Sequence, residues 1–192
     1  MSNLIYGVGF NDRKYKTRIE GKNVKEYSLW INVLYRCCSE IYKKNNKSYE
    51  GCRISENFKS YSFFYEWCQS QKGFLIEKWE IDKDVLLKGN KIYSEDTCVF
   101  IPPCLNLMLT KRENKRGDCK IGVSKKRKKF VAQCSVDGKS TYIGIFEKEE
   151  DAFYAYKKFK ESEVKRITEI YSSELDERVY KSLVSYSVDD DD

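Results

Sequence analysis

The sequence predicts an α+β fold: a helical, loop-rich first part, then a three-stranded antiparallel sheet packed on one helix. Three observations carry that prediction. Between Ile121 and Phe146, three short runs alternate apolar and polar residues, as strands with one buried face do. From Glu147 the period lengthens, and Ala152, Ala155, Tyr156 and Phe159 recur at helical spacing. In the first part, apolar stripes of helical period are separated by polar breaks.

Ile5 to Phe10 and Tyr15 to Ile19 predict two short strands around Asn11-Asp12, or an ordered N-terminal arm. Gly7 and Gly9 make no nucleotide fingerprint, because no third glycine follows at the right spacing and no helix opens there. From Glu26 to Tyr42 the pattern is helical, with Trp30, Val33, Leu34 and Cys37 on one stripe. Asn45 to Ser48 breaks it, and Tyr49 to Cys52 begins a turn. Phe58 to Gln69 predicts a second helix that buries Phe63, Phe64, Trp67 and Cys68 and ends at Gln71-Lys72-Gly73. Asp82 and Asp84 alternate with Ile81, Lys83 and Val85, so an extended segment sends both carboxylates to one side. Gly89-Asn90 marks a turn, and Pro102-Pro103 prevents a helix from running through.

In the sheet segment, Phe130, Ala132 and Cys134 share one face of the middle strand, and Val131, Gln133 and Ser135 the other. Asp137-Gly138 is a hairpin signal, since both positions accept positive φ. Ile143 lies opposite in facing to Ser140 and Tyr142, and the run closes on Gly144 and Phe146. Glu149, Glu150 and Asp151 suit the first turn of the helix, whose dipole favours acids there. Glu161 to Tyr171 continues that helix. Glu174 to Tyr186 forms a last one, with Val179, Leu183 and Tyr186 on one side. Val188 and the four terminal aspartates predict a disordered acidic tail.

The 192 residues suffice for one compact domain or two small ones, and 41% hydrophobic content supplies a core. No apolar run approaches the ~18 residues of a membrane span, and the N-terminus has no basic-then-apolar leader pattern. A cytoplasmic protein is expected. Eight cysteines in such a chain read as reduced, mostly core thiols. They form no C-x2-C pair, and there is no histidine, which argues against a structural zinc site.

Net charge is +6, but its distribution says more. From Lys111 to Lys129 there are ten Lys or Arg against Glu113 and Asp118. A basic linker feeding a basic strand is the footprint of a phosphate-backbone binder. The sheet face away from the helix carries Lys126, Lys129, Gln133, Ser135, Ser140 and Tyr142, and the DNA major groove admits β-elements. With Lys111, Arg112, Lys115, Arg116 and Arg127, these are the candidate DNA-binding residues. The competing reading is a merely solvated face, with lysines that serve solubility.

Gly122-Val123, Phe130-x-Ala132, Ile143-Gly144-x-Phe146 and Glu150-x-Ala152-x-x-Ala155-Tyr156 resemble, in order and spacing, the plant ethylene-response-factor (APETALA-type) DNA-binding domain. The resemblance implies that the exposed sheet face reads DNA. The family's arginine-rich strand positions fall on Ser124, Lys126, Ser135 and Ser140, its second-strand acid on Gln133 and its third-strand tryptophan on Tyr142.

Over most of the chain the order is Trp30, Arg36-Cys37, Tyr49-x-Gly51-Cys52, Asp82-Lys83-Asp84-x-Leu86, Tyr93-Ser94-x-x-Thr97-Cys98-x-Phe100-x-Pro102 and Asn106. This resembles a group of bacteriophage proteins described as HNH endonucleases with an attached APETALA-type domain. The resemblance places the HNH Asp-His step on Asp82-Lys83 and the later Asn-Leu step near Thr97-Cys98. Asp82, Lys83 and Asp84 are therefore the candidate catalytic residues. A histidine serves as general base because its pKa lies near working pH; a lysine is protonated unless strongly desolvated. Without histidine the remaining route is Mg2+ held by oxygen ligands, with Asp82, Asp84, Asn90 and Asp96 as candidates.

These readings divide the chain into a degenerate HNH-like region (1–110), a basic linker (111–117), an APETALA-type domain (118–170) and a C-terminal helix with acidic tail (171–192). The leading function is double-stranded DNA binding in an infected bacterial host, with a degenerate nuclease centre and no cofactor. One alternative is an active Mg2+-dependent DNA endonuclease using Asp82 and Asp84. Another is a phage counter-defence protein that binds a host protein.

Overall fold

The computed structural model describes residues 4–110 and 119–190. The chain separates into two compact units, Met1–Phe100 and Ile101–Asp192, each with its own core.

The first unit is built on aromatic packing. Helix α1 (Lys25–Cys38) buries Trp30, Val33, Leu34 and Cys37, the stripe read from the sequence. It packs on α3 (Tyr61–Ser70), which buries Tyr61, Phe64, Trp67 and Cys68. Phe58 meets Phe64 and Trp67 edge-on, at centroid distances of 4.9 and 4.7 Å. The buried indole N–H of Trp30 donates to the Phe58 carbonyl at 2.8 Å, so this polar atom is not left unsatisfied in the core.

Local chemistry corrects the expected boundaries. The helix expected to run to Tyr42 breaks at Ser39, whose hydroxyl accepts the Tyr42 N–H and caps a short α2 (Glu40–Asn45). The second helix starts later than Phe58, which lies in a 3-10 turn (Asn57–Lys59); Ser60 caps α3 by accepting from Phe63 N–H. No hairpin forms around Asn11-Asp12. Instead β1 (Arg18–Ile19) pairs with β2 (Lys22–Asn23) across Glu20-Gly21, both at positive φ, while Ile5 to Phe10 makes only isolated bridges. The short strands β3 (Arg53–Ile54) and β5 (Ile92–Tyr93) are parallel, and β4 (Glu80–Asp82) pairs with β6 (Val99–Ile101).

The second unit opens with α4 (Pro103–Leu109), a helix the sequence reading did not anticipate. The proline pair stops a helix arriving from upstream, but Pro103 suits the first helical position, where no N–H is needed. Helix α4 packs on the later sheet and helix, so the division between units falls after Phe100 rather than at residue 110. The sheet has the order β7 (Val123–Lys126), β8 (Lys129–Val136), β9 (Lys139–Phe146), all antiparallel. It packs on α5 (Glu149–Ile170). The Asp137-Gly138 turn joins β8 to β9 with both residues at positive φ, as its sequence requires. Helix α6 (Glu177–Val184) buries Val179 and Leu183 and packs on α5.

The disordered tail is corrected through residue 190. Val188 is 2% exposed and belongs to the core of Ala132, Cys134, Ala152, Phe153 and Tyr156. Its N–H donates to Glu161, and Asp190 pairs with Lys157 at 2.5 Å. An apolar residue before an acidic run looks solvated in sequence, but here it fills a gap beside α5. Among the described residues, no helix is long and apolar enough to cross a membrane.

Candidate nucleic-acid interface

Sheet register decides which side chains form the exposed face. Ala132 and Cys134 are buried with Phe130, Val136, Ile143 and Phe146 against α5. Partners directly across an antiparallel pair point the same way. The opposite face therefore carries the pairs Ser124–Val131, Lys126–Lys129, Gln133–Tyr142 and Ser135–Ser140. Gln133, Ser135 and Ser140 are exposed, and Tyr142 is 64% exposed.

Strict alternation would place Ile143 and Phe146 on different faces, yet both pack toward α5. A bulge resolves this. Ala132 pairs with Gly144 and Gln133 with Tyr142, which leaves Ile143 as the extra residue on β9. Past the bulge the facing inverts, and Ile145, 48% exposed, joins the outer face beside Tyr142.

The support beneath the face is tight. Gly122 has φ +75°, and a Cβ there would lie 2.0 Å from the Tyr156 ring of α5. Only glycine allows both the conformation and the approach. The Gly122 carbonyl accepts the Gln133 N–H at 2.9 Å, which ties the start of the sheet to the strand bearing the candidate base reader. Ser140 Oγ lies 3.5 Å from Gln133 Oε1; among the described residues the Gln133 amide group donates to no protein acceptor.

The cations are not equivalent. Lys129 pairs with Glu147 at 2.7 Å, and that hydrogen-bonded carboxylate raises the Lys129 pKa above its ordinary value. Lys126, directly across from Lys129, has no acidic partner among the described residues. Arg127 stands at the β7–β8 turn with φ +56° and likewise has none. Lys111, Arg112, Lys115 and Arg116, with the expected linker, lie outside the described residues.

The carboxylate segment is arranged differently from the sequence expectation. Strand β4 ends at Asp82, and the chain bends, so Asp84 does not continue an extended face. Asp82 Oδ1 accepts the N–H groups of Asp84 and Val85, each at 2.7 Å. Burial pushes its carboxyl upward, and these two bonds oppose the shift. Lys83 is 6% exposed; its ammonium reaches both Asp84 oxygens at 2.7 Å and the Asn90 carbonyl at 2.5 Å. Asn90 is committed as well. Its amide donates to the carbonyls of Lys83 and Ile92, and its Oδ1 accepts the Ile92 N–H. Asp96 sits in the turn after β5.

Mg2+ needs several oxygen donors free to turn toward one point. Here an ammonium occupies Asp84, and Asn90 is bound on both sides of its amide. Among the described residues no three His, Cys, Asp or Glu side chains are grouped to hold a metal. The set does not fit a divalent cation. The contacts instead describe a loop locked by Lys83 and Asn90.

A basic groove in the first unit escaped the sequence reading. Lys14, Lys16, Lys22 and Lys25, with Tyr15 and Tyr65, line an open space of about 610 Å3. The two tyrosine rings stack at 3.9 Å. The signal was the run of cations from Arg13 to Lys25, obscured by reading these residues only as strands or an arm. Compared with family models, curated proteins and solved structures, the chain matches none.

Proposed function

We propose that the second unit binds double-stranded DNA through the outer face of β7–β9. One observation carries this reading: the face away from α5 displays Lys126, Gln133, Ser135, Ser140 and Tyr142 in adjoining register, and all five side chains are exposed. Unpaired cations supply sequence-independent attraction to phosphates, while a glutamine amide offers the bidentate geometry that adenine accepts in the major groove. Tyr142 adds a flat amphipathic ring beside it. The likeness to APETALA-type domains supports the same use of the same face.

The occupied donors around Asp82 favour binding without strand cleavage. A second reading has its own support. Tyr142 and Ile145 are exposed large side chains on one face, and such a pair also suits a protein partner.

Anisotropy titration of the whole chain with labelled duplex DNA, over a series of salt concentrations, tests the proposal. Affinity that falls steeply with salt and weakens in Lys126→Gln supports it. Absence of duplex binding at low salt rejects it in favour of the protein partner.

A further inference from the structure

Arg36 lies in the last turn of α1, half-buried, and has no carboxylate partner among the described residues. What surrounds it instead is phenolic. Its Nη1 lies 3.5 Å from the Tyr93 hydroxyl, and its guanidinium sits 5.6 Å from the Tyr49 ring centroid. Tyr42 packs edge-on against Tyr49 at 5.2 Å, and Tyr93 is 3% exposed. Burial pushes the Tyr49 hydroxyl up in pKa, opposed by Arg36, and hydrogen-bonding interactions tie it to both Tyr42 and Tyr93.

A guanidinium carries five N–H donors and a permanent charge. A single long bond to a phenol leaves most of those donors unanswered. The α1 C-terminus offers partial negative charge, but about half an elementary charge spread over backbone carbonyls does not balance a full cation. Taking such a charge partly out of water is costly unless an anion joins it. Two kinds of donor stand together here: one planar fork, with the Tyr93 hydroxyl 3.5 Å from it, and the phenol of Tyr49, whose ring lies beside the guanidinium. A planar carboxylate is satisfied by the fork alone, whereas a tetrahedral oxyanion also presents oxygens to the hydroxyls.

We propose that Arg36, with the hydroxyls of Tyr49 and Tyr93, forms a phosphate-binding site on the first unit, separate from the sheet face of the second. The site takes a phosphate group, either free or carried as a monoester, and Tyr42 forms its wall. It requires no DNA binding by the second unit, so the two readings stand or fall separately.

Thermal unfolding of the full chain in inorganic phosphate, against chloride at equal ionic strength, is the test, because a ligand of the native state raises the midpoint with its concentration. The wild type is expected to show a saturable rise. Arg36→Lys keeps the charge but loses the fork, and its apparent affinity should drop about tenfold. Tyr49→Phe keeps the ring beside Arg36 and removes one hydroxyl, so it should weaken binding several-fold; it serves if Arg36→Lys does not fold. A nucleoside 5′-monophosphate that raises the midpoint where the bare nucleoside does not assigns the site to esters as well as free phosphate; a rise with inorganic phosphate alone restricts it to the free anion. A wild-type midpoint no higher in phosphate than in chloride, or equal responses in wild type and folded variants, overturns the proposal.

Discussion

Gln133 on β8 stands directly across from Tyr142 on β9, and both side chains face away from α5. This pair is the last in the regular ladder before the Ile143 bulge. The bulge lets Ile143 and Phe146 both reach the core while Tyr142 and Ile145 remain outside. Gln133→Ala should reduce discrimination at one base pair, by about 1–3 kcal/mol if the amide reads adenine. Binding-site selection followed by competition with single-base variants measures it; an unchanged preference removes Gln133 from base reading.

Lys126 and Lys129 face one another, but among the described residues only Lys129 has a carboxylate neighbour. Lys126→Gln should lower the log-log salt slope of DNA affinity by about 0.9, the release expected for one phosphate contact. Lys129→Gln should lower it less, because Glu147 already competes for that ammonium. Equal slopes for the two variants would count against the assigned pairing.

Gly122→Ala should destabilise the second unit. It imposes a side chain at φ +75° and presses a methyl into the Tyr156 ring. Strain and overpacking together make about 2–4 kcal/mol reasonable. Urea unfolding followed by circular dichroism gives the value, and a loss below about 0.5 kcal/mol would mean the ring moves aside freely.

Asp82 offers a test by pH. Burial raises its carboxyl above the ordinary 3.8. The folded state therefore holds this proton more tightly than the unfolded state. The stability linked to it is fully present below the unfolded pKa and is lost as pH rises through the raised folded value. Asp82→Asn removes the titration but keeps an Oδ1 acceptor for the Asp84 and Val85 N–H groups. Unfolding free energies of both proteins, from about pH 4 to 7, should show the variant gaining on the wild type as pH rises. A constant difference would mean the group titrates normally.

Supercoiled plasmid incubated with the protein should stay intact in Mg2+ and Mn2+ as it does in EDTA. The reason is the Lys83–Asp84 and Asn90 contacts, which commit the donors a cation needs. Metal-dependent nicking that disappears in Asp82→Ala would restore the endonuclease reading.

Much of the second unit was legible because its signals are local. Alternation from Phe130 to Ser135, the Asp137-Gly138 turn and the Ala152–Tyr156 spacing each follow from backbone geometry over a few residues. The Ile143 bulge was not legible, since it shows only when β9 is laid against β8. Nor was the Ser39 break, where one hydroxyl competes for a backbone N–H inside an otherwise helical stripe. At Asp82 and Asp84 the alternating pattern was real, but two side chain to backbone bonds bend the chain after Asp82, so Asp84 no longer continues the strand. The uncovered sheet face was legible as a pattern; the pairing that weakens Lys129 required Glu147 to be placed beside it.

Val188 and Asp190 set a practical limit on dissecting this protein. The motifs that suggest a DNA reader end at Tyr156, and a designer would be tempted to cut soon after α5. Such a cut removes Val188 from the core it shares with Ala132 and Phe153 and leaves Lys157 without its acid. Val188 and Asp190 act as a clasp rather than a trailer. A portable version of the sheet therefore has to carry the chain to at least residue 190.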